Sequence, residues 1–237
     1  MSASGSQIGT GKSLALRIAE VRAAVARAVE AADRTHNEVT IVAVSKTFPR
    51  STVDAAYGAG LRVFGESRVQ EARDKYELRL PGDAAVRMIG QLQTNKARQA
   101  VGFFSCIESV DRLSLVEALD RAAAKVDAVV PVLVQVNIAR EPQKSGCASE
   151  DAEALMRAIR ESAHLRCDGL MTIAPLVTEP EDARPTFSGL REMRDVLQET
   201  ISIPLPVLSM GMSNDYEIAI AEGATHVRLG RAIFVSR

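Results

Sequence analysis

One lysine stands at the end of an apolar stretch near the beginning of the chain. Residues 41–49 read IVAVSKTFP, so a run of strand-forming residues ends at Lys46 and is broken by Pro49. A lysine amine has an ordinary pKa of about 10.4 and is a poor nucleophile at neutral pH. In an apolar site near another cation its pKa falls, and the neutral amine can form an imine with an aldehyde. The alternative is a lysine that only extends from a strand end into solvent.

Two segments near the C-terminus combine small residues in a way that suits an anion. Residues 209–215 read SMGMSND and residues 228–234 read RLGRAIF. Small residues let backbone N–H groups approach a phosphate, and Ser213 stands just before a predicted helix, whose N-terminus favours an anion. Gly230 and Arg231 offer further backbone donors. The alternative is a turn that only caps the helix. A lysine beside a phosphate site predicts a phosphorylated aldehyde held as an imine, and pyridoxal 5′-phosphate is the obvious candidate.

Strands and helices alternate along the chain. Helical spacing of apolar residues predicts one long amphipathic helix over residues 14–32. Eight strand-like runs follow, each separated from the next by a helical segment: 39–45, 61–64, 86–89, 103–107, 129–136, 167–173, 206–208 and 226–229. Eight such units in 237 residues predict one α/β domain, a single (β/α)8 TIM barrel. The alternative is an open doubly wound sheet, but no GxGxxG follows the first strand.

A barrel of this kind binds ligands at the carboxyl ends of its strands. The predicted ends of strands one, seven and eight carry Lys46, the SMGMSN segment and Arg228, so we expect them to meet at one opening. The intervening strands are predicted to end there with Glu66, Gly90, Glu108 and Asn137. The chain beyond strand eight is too short for a full outer helix, and the long first helix is predicted to fill that gap. We expect a flexible tail at 1–12, with Ser13 as the helix N-cap, and a barrel at 13–237 with no C-terminal β domain.

Composition argues against several classes of partner. Lysine and arginine total 29 and aspartate and glutamate 30, a net charge of −1, so nothing favours nucleic acid or an anionic membrane surface. No apolar run reaches the ~18 residues of a membrane helix. The N-terminus has no positive start followed by an apolar stretch, as a secretory signal would. Three distant cysteines and three histidines without ligand spacing predict reduced thiols in a cytoplasmic protein with no metal site.

The segment GTGKS at 9–13 is similar to the end of a phosphate-binding loop. The full motif needs a glycine where Ser6 stands and a strand before it, and neither is present. We therefore expect no nucleotide site here.

Six blocks in order carry a resemblance that covers residues from about 14 to 237. They are AVSKTFP (43–49), FGESRVQEA (64–72), IGQLQTNK (89–96), VNIAREPQKSG (136–146), GLMTIAP (169–175) and LSMGMSNDYEIAIAEGATHVRLG (208–230). The sequence resembles the pyridoxal phosphate homeostasis proteins, which look like the barrel domain of alanine racemase standing alone. The resemblance implies a TIM barrel with pyridoxal 5′-phosphate as its cofactor.

The resemblance also implies seven cofactor-binding residues. Lys46 matches the lysine that forms the internal aldimine, and Arg228 matches the arginine that faces the pyridine nitrogen. The implied phosphate contacts and the residues beside the cofactor are Ser213, Gly230, Arg231, Met210 and Asn137. The sequence departs from the family at Ser67, where asparagine is usual, which shortens any polar contact there. Two further departures, Arg87-Met88 and Val235, are expected to be structural.

Arg228 bears on the choice between enzyme and carrier. Enzymes that use this cofactor as a full electron sink commonly pair its pyridine nitrogen with a carboxylate, whereas a guanidinium cannot supply that proton. Alanine racemases also take a second base, a tyrosine, through a further β-rich domain. The three tyrosines here, Tyr57, Tyr76 and Tyr216, lie in predicted helices. The sequence therefore favours a weak electron sink with no second base.

The leading hypothesis is a non-catalytic protein that holds pyridoxal 5′-phosphate and buffers or delivers it inside the cell. The alternative is a low-activity amino-acid racemase, and a third hypothesis is a barrel enzyme that uses Lys46 for an aldolase-type imine without the cofactor. We expect a monomer, transient contact with cofactor-dependent apoenzymes, and neither nucleic-acid nor membrane binding. Lys144 is a speculative relay for the cofactor, and the alternative is an ordinary surface lysine.

Overall fold

The computed structural model describes residues 12–35 and 38–235, so the predicted tail at 1–12 lies outside the described residues except for Lys12. The eight strands form a closed barrel in chain order, and every pair is parallel. They are β1 (Thr40–Val44), β2 (Val63–Glu66), β3 (Ala85–Met88), β4 (Cys106–Val110), β5 (Val130–Gln135), β6 (Leu165–Met171), β7 (Val207–Ser209) and β8 (His226–Leu229). The predicted TIM barrel is therefore confirmed.

Helices surround the barrel. They are α1 (Leu14–Ala31), α2 (Arg50–Gly58), α3 (Val69–Lys75), α4 (Ala97–Ala100), α5 (Leu113–Ala124), α6 (Ala152–Glu161), α7 (Arg184–Ile201), α8 (Tyr216–Ala221) and α9 (Arg231–Phe234). No helix within the described residues is long and apolar enough to cross a membrane.

The first helix completes the outer ring, as the sequence predicts. The side chain of Ser13 accepts a hydrogen bond from the backbone N–H of Leu16 at 3.3 Å, which caps α1. Apolar residues spaced three or four apart form its buried stripe: Ile18, Val21, Val25 and Val29. This stripe packs α1 against α2, α8 and the single turn of α9. An 18-residue helix from the start of the chain thus covers the space that α9 is too short to fill.

Several predicted boundaries are wrong: β2 and β6 are displaced by two residues from the predicted runs, and two larger differences have a structural cause. The fourth strand begins at Cys106 rather than at 103, because Phe103 and Phe104 close the turn after α4, with both N–H groups donating to the Ala100 carbonyl. The helical segment between the second and third strands, for which the sequence predicts residues 69–80, ends at Lys75. The helix ends here because Lys75 and Tyr76 both bind Ser45, just after β1. The Lys75 amine donates to the Ser45 carbonyl, and the Tyr76 hydroxyl forms a hydrogen bond with the Ser45 hydroxyl.

The inside of the barrel has an apolar part and a charged part. A small apolar cluster of Cys106, Leu133 and Met171 fills one part, with Ile173 and Val207 packed against it. The much larger apolar core lies between the strands and the helices. Charged side chains occupy another part of the interior, where Arg87 pairs with the fully buried Glu108. Apolar packing therefore holds the strands together, and the polar part of the interior is the part whose side chains can bind a ligand.

Candidate functional site

A cavity of about 240 Å³ opens at the carboxyl ends of the strands. It brings together five of the seven residues that the sequence predicts for the site: Lys46, Ser213, Arg228, Gly230 and Arg231. An apolar wall completes it, formed by Val44, Ile89, Ile173, Pro175, Leu176 and Val177. The strands converge here because parallel strands of a closed barrel all end on the same face.

Lys46 sits in a constrained turn directly after β1. The Ser45 carbonyl accepts a hydrogen bond from the N–H of Phe48 at 3.1 Å, so Lys46 and Thr47 are the central residues of the turn. Thr47 has a φ of 72°, which is uncommon for a β-branched residue and indicates a conformation that its surroundings hold. The Lys46 side chain is exposed, and within residues 12–35 and 38–235 its amine makes no hydrogen bond or ion pair. The amine is thus free to meet a ligand in the cavity.

A buried cluster behind this turn anchors it to α3. The Lys75 amine donates to the Ser45 carbonyl at 2.8 Å and to Glu66 Oε1 at 2.8 Å. The same oxygen accepts hydrogen bonds from the Ser45 hydroxyl at 2.7 Å and from the Tyr76 hydroxyl at 3.1 Å. Burial, together with the Glu66 carboxylate, raises the pKa of Tyr76 above its ordinary value. The placement of Glu66 at the mouth is therefore wrong: its side chain points to the helix layer and supports Lys46 from behind.

The far side of the cavity offers hydrogen-bond donors. Within the described residues, the backbone N–H groups of Gly230 and Arg231 make no hydrogen bond to a protein acceptor. The Ser213 hydroxyl accepts a hydrogen bond from the N–H of Ala232 at 3.2 Å, which leaves its own proton available. Gly211 has a φ of 90°, and a Cβ there would lie 2.6 Å from the Cβ of Ala219, so the loop can pass close to α8 only with glycine. This arrangement suits an anionic group.

Asp215 is a cavity residue that sequence reasoning missed. Its Oδ1 accepts a hydrogen bond from the N–H of Met212 at 2.5 Å, and the residue is only 5% exposed. Burial raises its pKa, although the Met212 N–H and the charge of Arg228 act in the opposite direction. Its place in SMGMSND, two residues after the predicted phosphate contact Ser213, was the available signal.

Arg228 lies at the bottom of the cavity and is 5% exposed. Its Nη1 donates to the Ser209 hydroxyl at 2.8 Å, and its Nη2 donates to the Thr172 carbonyl at 2.7 Å. The Ser209 hydroxyl in turn donates to Glu108 Oε2 at 2.5 Å. Burial lowers the pKa of Arg228. The guanidinium is therefore held in one orientation by Ser209 on β7 and by the Thr172 carbonyl just after β6.

Glu108 was predicted at a strand end, and the structure places it inside the barrel. Its second oxygen accepts a hydrogen bond from Arg87 Nε, so the pair of Arg87 and Glu108 is a buried ion pair. Burial alone would raise the pKa of Glu108, but Arg87, Arg228 and the Ser209 hydroxyl together hold it below its ordinary value. Arg87, which was predicted to have a structural role, thus compensates an interior carboxylate.

Two of the seven predicted site residues do not line the cavity. Asn137 is held in its own loop, where its amide donates to the Glu141 carbonyl at 2.8 Å and its oxygen accepts from the Glu141 N–H at 3.2 Å. Met210 is fully buried in the core next to the cavity loop. Lys144 donates to the Ala174 carbonyl at 2.9 Å and pairs with Glu141, so it joins the loops after β5 and β6. Ser67, where the family usually has asparagine, does line the cavity.

Comparison with known proteins identifies the family of this barrel. The family model of the alanine racemase N-terminal domain matches residues 21–237, so the fold and the site define a barrel of that class. A pyridoxal phosphate homeostasis protein from Aquifex aeolicus is 41% identical over 221 residues, which cover 93% of this chain and 97% of the relative. A second, from Pseudomonas aeruginosa, is 40% identical over 224 residues, covering 94% of this chain and 96% of the relative. The chain belongs to the pyridoxal phosphate homeostasis protein family.

Solved structures place the chain in the same group. The structure of PipY from Synechococcus elongatus with pyridoxal phosphate bound superposes with a TM-score of 0.83 at 36% identity, covering 94% of this chain and 100% of that one. An alanine racemase from Corynebacterium glutamicum has a TM-score of 0.70 at 16% identity, covering 93% of this chain and 60% of that one. The latter similarity is one of fold alone.

Proposed function

We propose that this chain binds pyridoxal 5′-phosphate as an imine (internal aldimine) with Lys46, and that it stores or delivers the cofactor rather than catalysing a reaction. The observation that carries the proposal is one cavity with the Lys46 amine on one side and the Ser213 hydroxyl and the N–H groups of Gly230 and Arg231 on the other. The bound cofactor of the PipY structure and the names of the relatives support it.

The residues present fit this cofactor chemically. When bound, it supplies an aldehyde for an amine, a phosphate, and a conjugated ring that can take up electrons. The Ser213 hydroxyl and the Gly230 and Arg231 N–H groups would hold the phosphate, and the apolar wall would cover the ring. Arg228 would stand at the pyridine nitrogen. Since a guanidinium does not give up its proton, the nitrogen would stay unprotonated and the ring would be a weak electron sink.

The tyrosines support a carrier rather than a racemase. The Tyr57 hydroxyl bonds to Asp83, that of Tyr76 lies in the cluster behind β1, and that of Tyr216 bonds to Glu217. None of these three side chains lines the cavity. One observation favours the alternative of slow racemase activity: Asp215 lines the cavity, and its pKa is raised by burial, as suits an acid–base group.

Absorbance titration with pyridoxal 5′-phosphate tests the proposal. Wild type is expected to gain an absorption band near the visible edge, and borohydride is expected to trap the adduct on the peptide that contains Lys46. Lys46→Ala should lose both signals, whereas the exposed Lys125→Ala should keep them. A wild-type protein that shows no band would end the proposal.

Proton exchange separates carrier from enzyme. Loaded protein is incubated with alanine in deuterated water, and incorporation at the α-carbon is followed by NMR. No incorporation above free cofactor supports the carrier. Incorporation that Asp215→Asn removes supports the racemase.

The wider setting is also part of the proposal. We propose that the chain acts in the cytoplasm as a monomer and meets cofactor-dependent apoenzymes only transiently. Sedimentation with and without an apoenzyme tests this: a stable dimer or a persistent complex would contradict it.

A further inference from the structure

Arg228 is a buried cation that, within the described residues, no carboxylate contacts directly. Its two acceptors, the Ser209 hydroxyl and the Thr172 carbonyl, are neutral. A buried charge without compensation is costly, so some anion nearby must offset it. Glu108 is coupled to Arg228 by hydrogen bonds, through Ser209, and Arg87 already pairs with the other oxygen of that carboxylate. The Glu108 carboxylate therefore reaches Arg228 only through the Ser209 hydroxyl, which holds the guanidinium in place without a direct ion pair.

The other charged groups near Arg228 are not linked to it by hydrogen bonds within the described residues. His226, on the same strand, is neutral at ordinary pH, because burial and the nearby arginines lower its pKa to about 4. Asp215 also faces Arg228 and acts to raise its pKa, but its Oδ1 accepts the N–H of Met212, and no hydrogen bond within the described residues joins it to the guanidinium. Lys46 and Arg231 line the same cavity and are cations themselves.

We propose that Glu108 is a positioning residue, which together with Arg87 sets how much positive charge Arg228 presents to a nitrogen base in the cavity. The inference rests on the proposed function in that the base would be the pyridine nitrogen of the cofactor. Arg87 binds one carboxylate oxygen, so only the other is left for the Ser209 bridge to Arg228. Arg87 on β3, Glu108 on β4 and Ser209 on β7 thus fix the Arg228 guanidinium on β8. None of these three residues forms an ion pair with Arg228.

The two partners of the ion pair should act in opposite directions. In Arg87→Met the carboxylate of Glu108 loses its own cation and neutralises Arg228 more strongly, so the nitrogen of a bound ligand becomes easier to protonate. In Glu108→Gln the anion is lost and the cavity floor becomes more positive, so the nitrogen becomes harder to protonate. Each change is expected to move the pH midpoint of the bound cofactor's spectrum by about one unit, the size typical of one nearby charge. The double variant should return near to the wild-type midpoint, because both charges are gone.

A second measurement needs no cofactor. In ¹⁵N-labelled protein the Arg228 Nη–H signal is assigned by its loss in Arg228→Lys. Wild type is expected to show a protected side-chain signal, because Ser209 and Thr172 hold the guanidinium. Glu108→Gln should increase its solvent exchange at least tenfold. If Glu108→Gln does not fold, Ser209→Ala alters no charge and removes the bridge, and it carries the same test.

Controls and outcomes keep the inference separate from the proposed function. Glu117→Gln and Arg121→Met change an exposed ion pair on α5 and should move neither readout. Midpoints that shift in the same direction in Arg87→Met and Glu108→Gln would overturn the positioning role. So would an Arg228 signal whose exchange is unchanged in both Glu108→Gln and Ser209→Ala. If wild type forms no imine, the proposed function fails, while the NMR comparison still decides whether Glu108 positions Arg228.

Discussion

Replacing Lys75 by methionine tests whether the cluster behind β1 holds the turn that carries Lys46. The Lys75 and Glu66 side chains are 11% and 1% exposed, so the change leaves a buried carboxylate without its cation. Breaking such a pair typically costs about 3–5 kcal/mol. We expect about 3 kcal/mol, the lower end, because the Ser45 and Tyr76 hydroxyls still donate to Glu66. For a chain of this length that corresponds to a fall in the thermal midpoint of roughly 6–12 °C.

The same change should weaken cofactor binding, because Lys75 also donates to the Ser45 carbonyl that closes the turn. Losing one charge-assisted hydrogen bond of about 1.5 kcal/mol from the bound state corresponds to roughly a tenfold lower affinity. Stability is measured by thermal and urea unfolding, and affinity by titration of the absorption band. Lys125→Met, an exposed lysine at the end of α5, is the matched control and should change neither quantity.

A double-mutant cycle then isolates the pair. Glu66→Gln combined with Lys75→Met removes both charges, so the double variant should be more stable than the sum of the single effects predicts, by about 1 kcal/mol or more. Additive effects, or a Lys75→Met protein as stable as Lys125→Met, would refute the reasoning.

Three further outcomes are expected. Gly90→Ala should destabilise the protein by about 2 kcal/mol or more in urea unfolding, because a Cβ there would lie 2.2 Å from the Ser67 carbonyl oxygen; Gly82→Ala, with nothing within 4 Å, is the neutral control. His226 has a folded pKa of about 4, below its unfolded value of about 6.5, so the wild-type free energy of unfolding should fall as the pH drops from 6.5 towards 4, by at most about 3 kcal/mol from this residue. His226→Gln should make this pH dependence less steep. Equal pH dependence in the two proteins would contradict the assignment. Arg228→Gln should shift the absorption band of the bound cofactor by allowing the pyridine nitrogen to protonate, and an unchanged spectrum would place Arg228 away from that nitrogen.

The closed barrel could be predicted because its cause is local and repeated. Runs such as 129–136 are apolar on both faces, and a helical segment follows each, so a parallel sheet covered by helices satisfies the whole pattern. Ser13 as the cap of α1 and Lys46 at the end of β1 follow from the same reasoning. The predicted start of β4 was wrong because Phe103 and Phe104, whose residue type favours a strand, lie in a turn instead.

The candidate site could also be predicted only in part. Strand order is enough to bring Lys46, Ser213, Arg228 and Gly230 to one opening, because all the strands of the barrel end on the same face. It does not say which way a side chain at a strand end points, and so Asn137 and Glu66 were both misplaced.

What the sequence determined alone is therefore the barrel, its open face and the segments of Lys46, Ser213 and Gly230 that meet there. Only the tertiary structure decided that Glu66 and Lys75 support the lysine turn from behind, and that Arg87 and Glu108 stand beneath Arg228. The physical reason is that the periodicity of apolar residues is a property of one continuous segment of the sequence. A buried charge is instead stabilised by partners from other strands, 21 residues away in the case of Arg87 and Glu108 and 101 in that of Glu108 and Ser209.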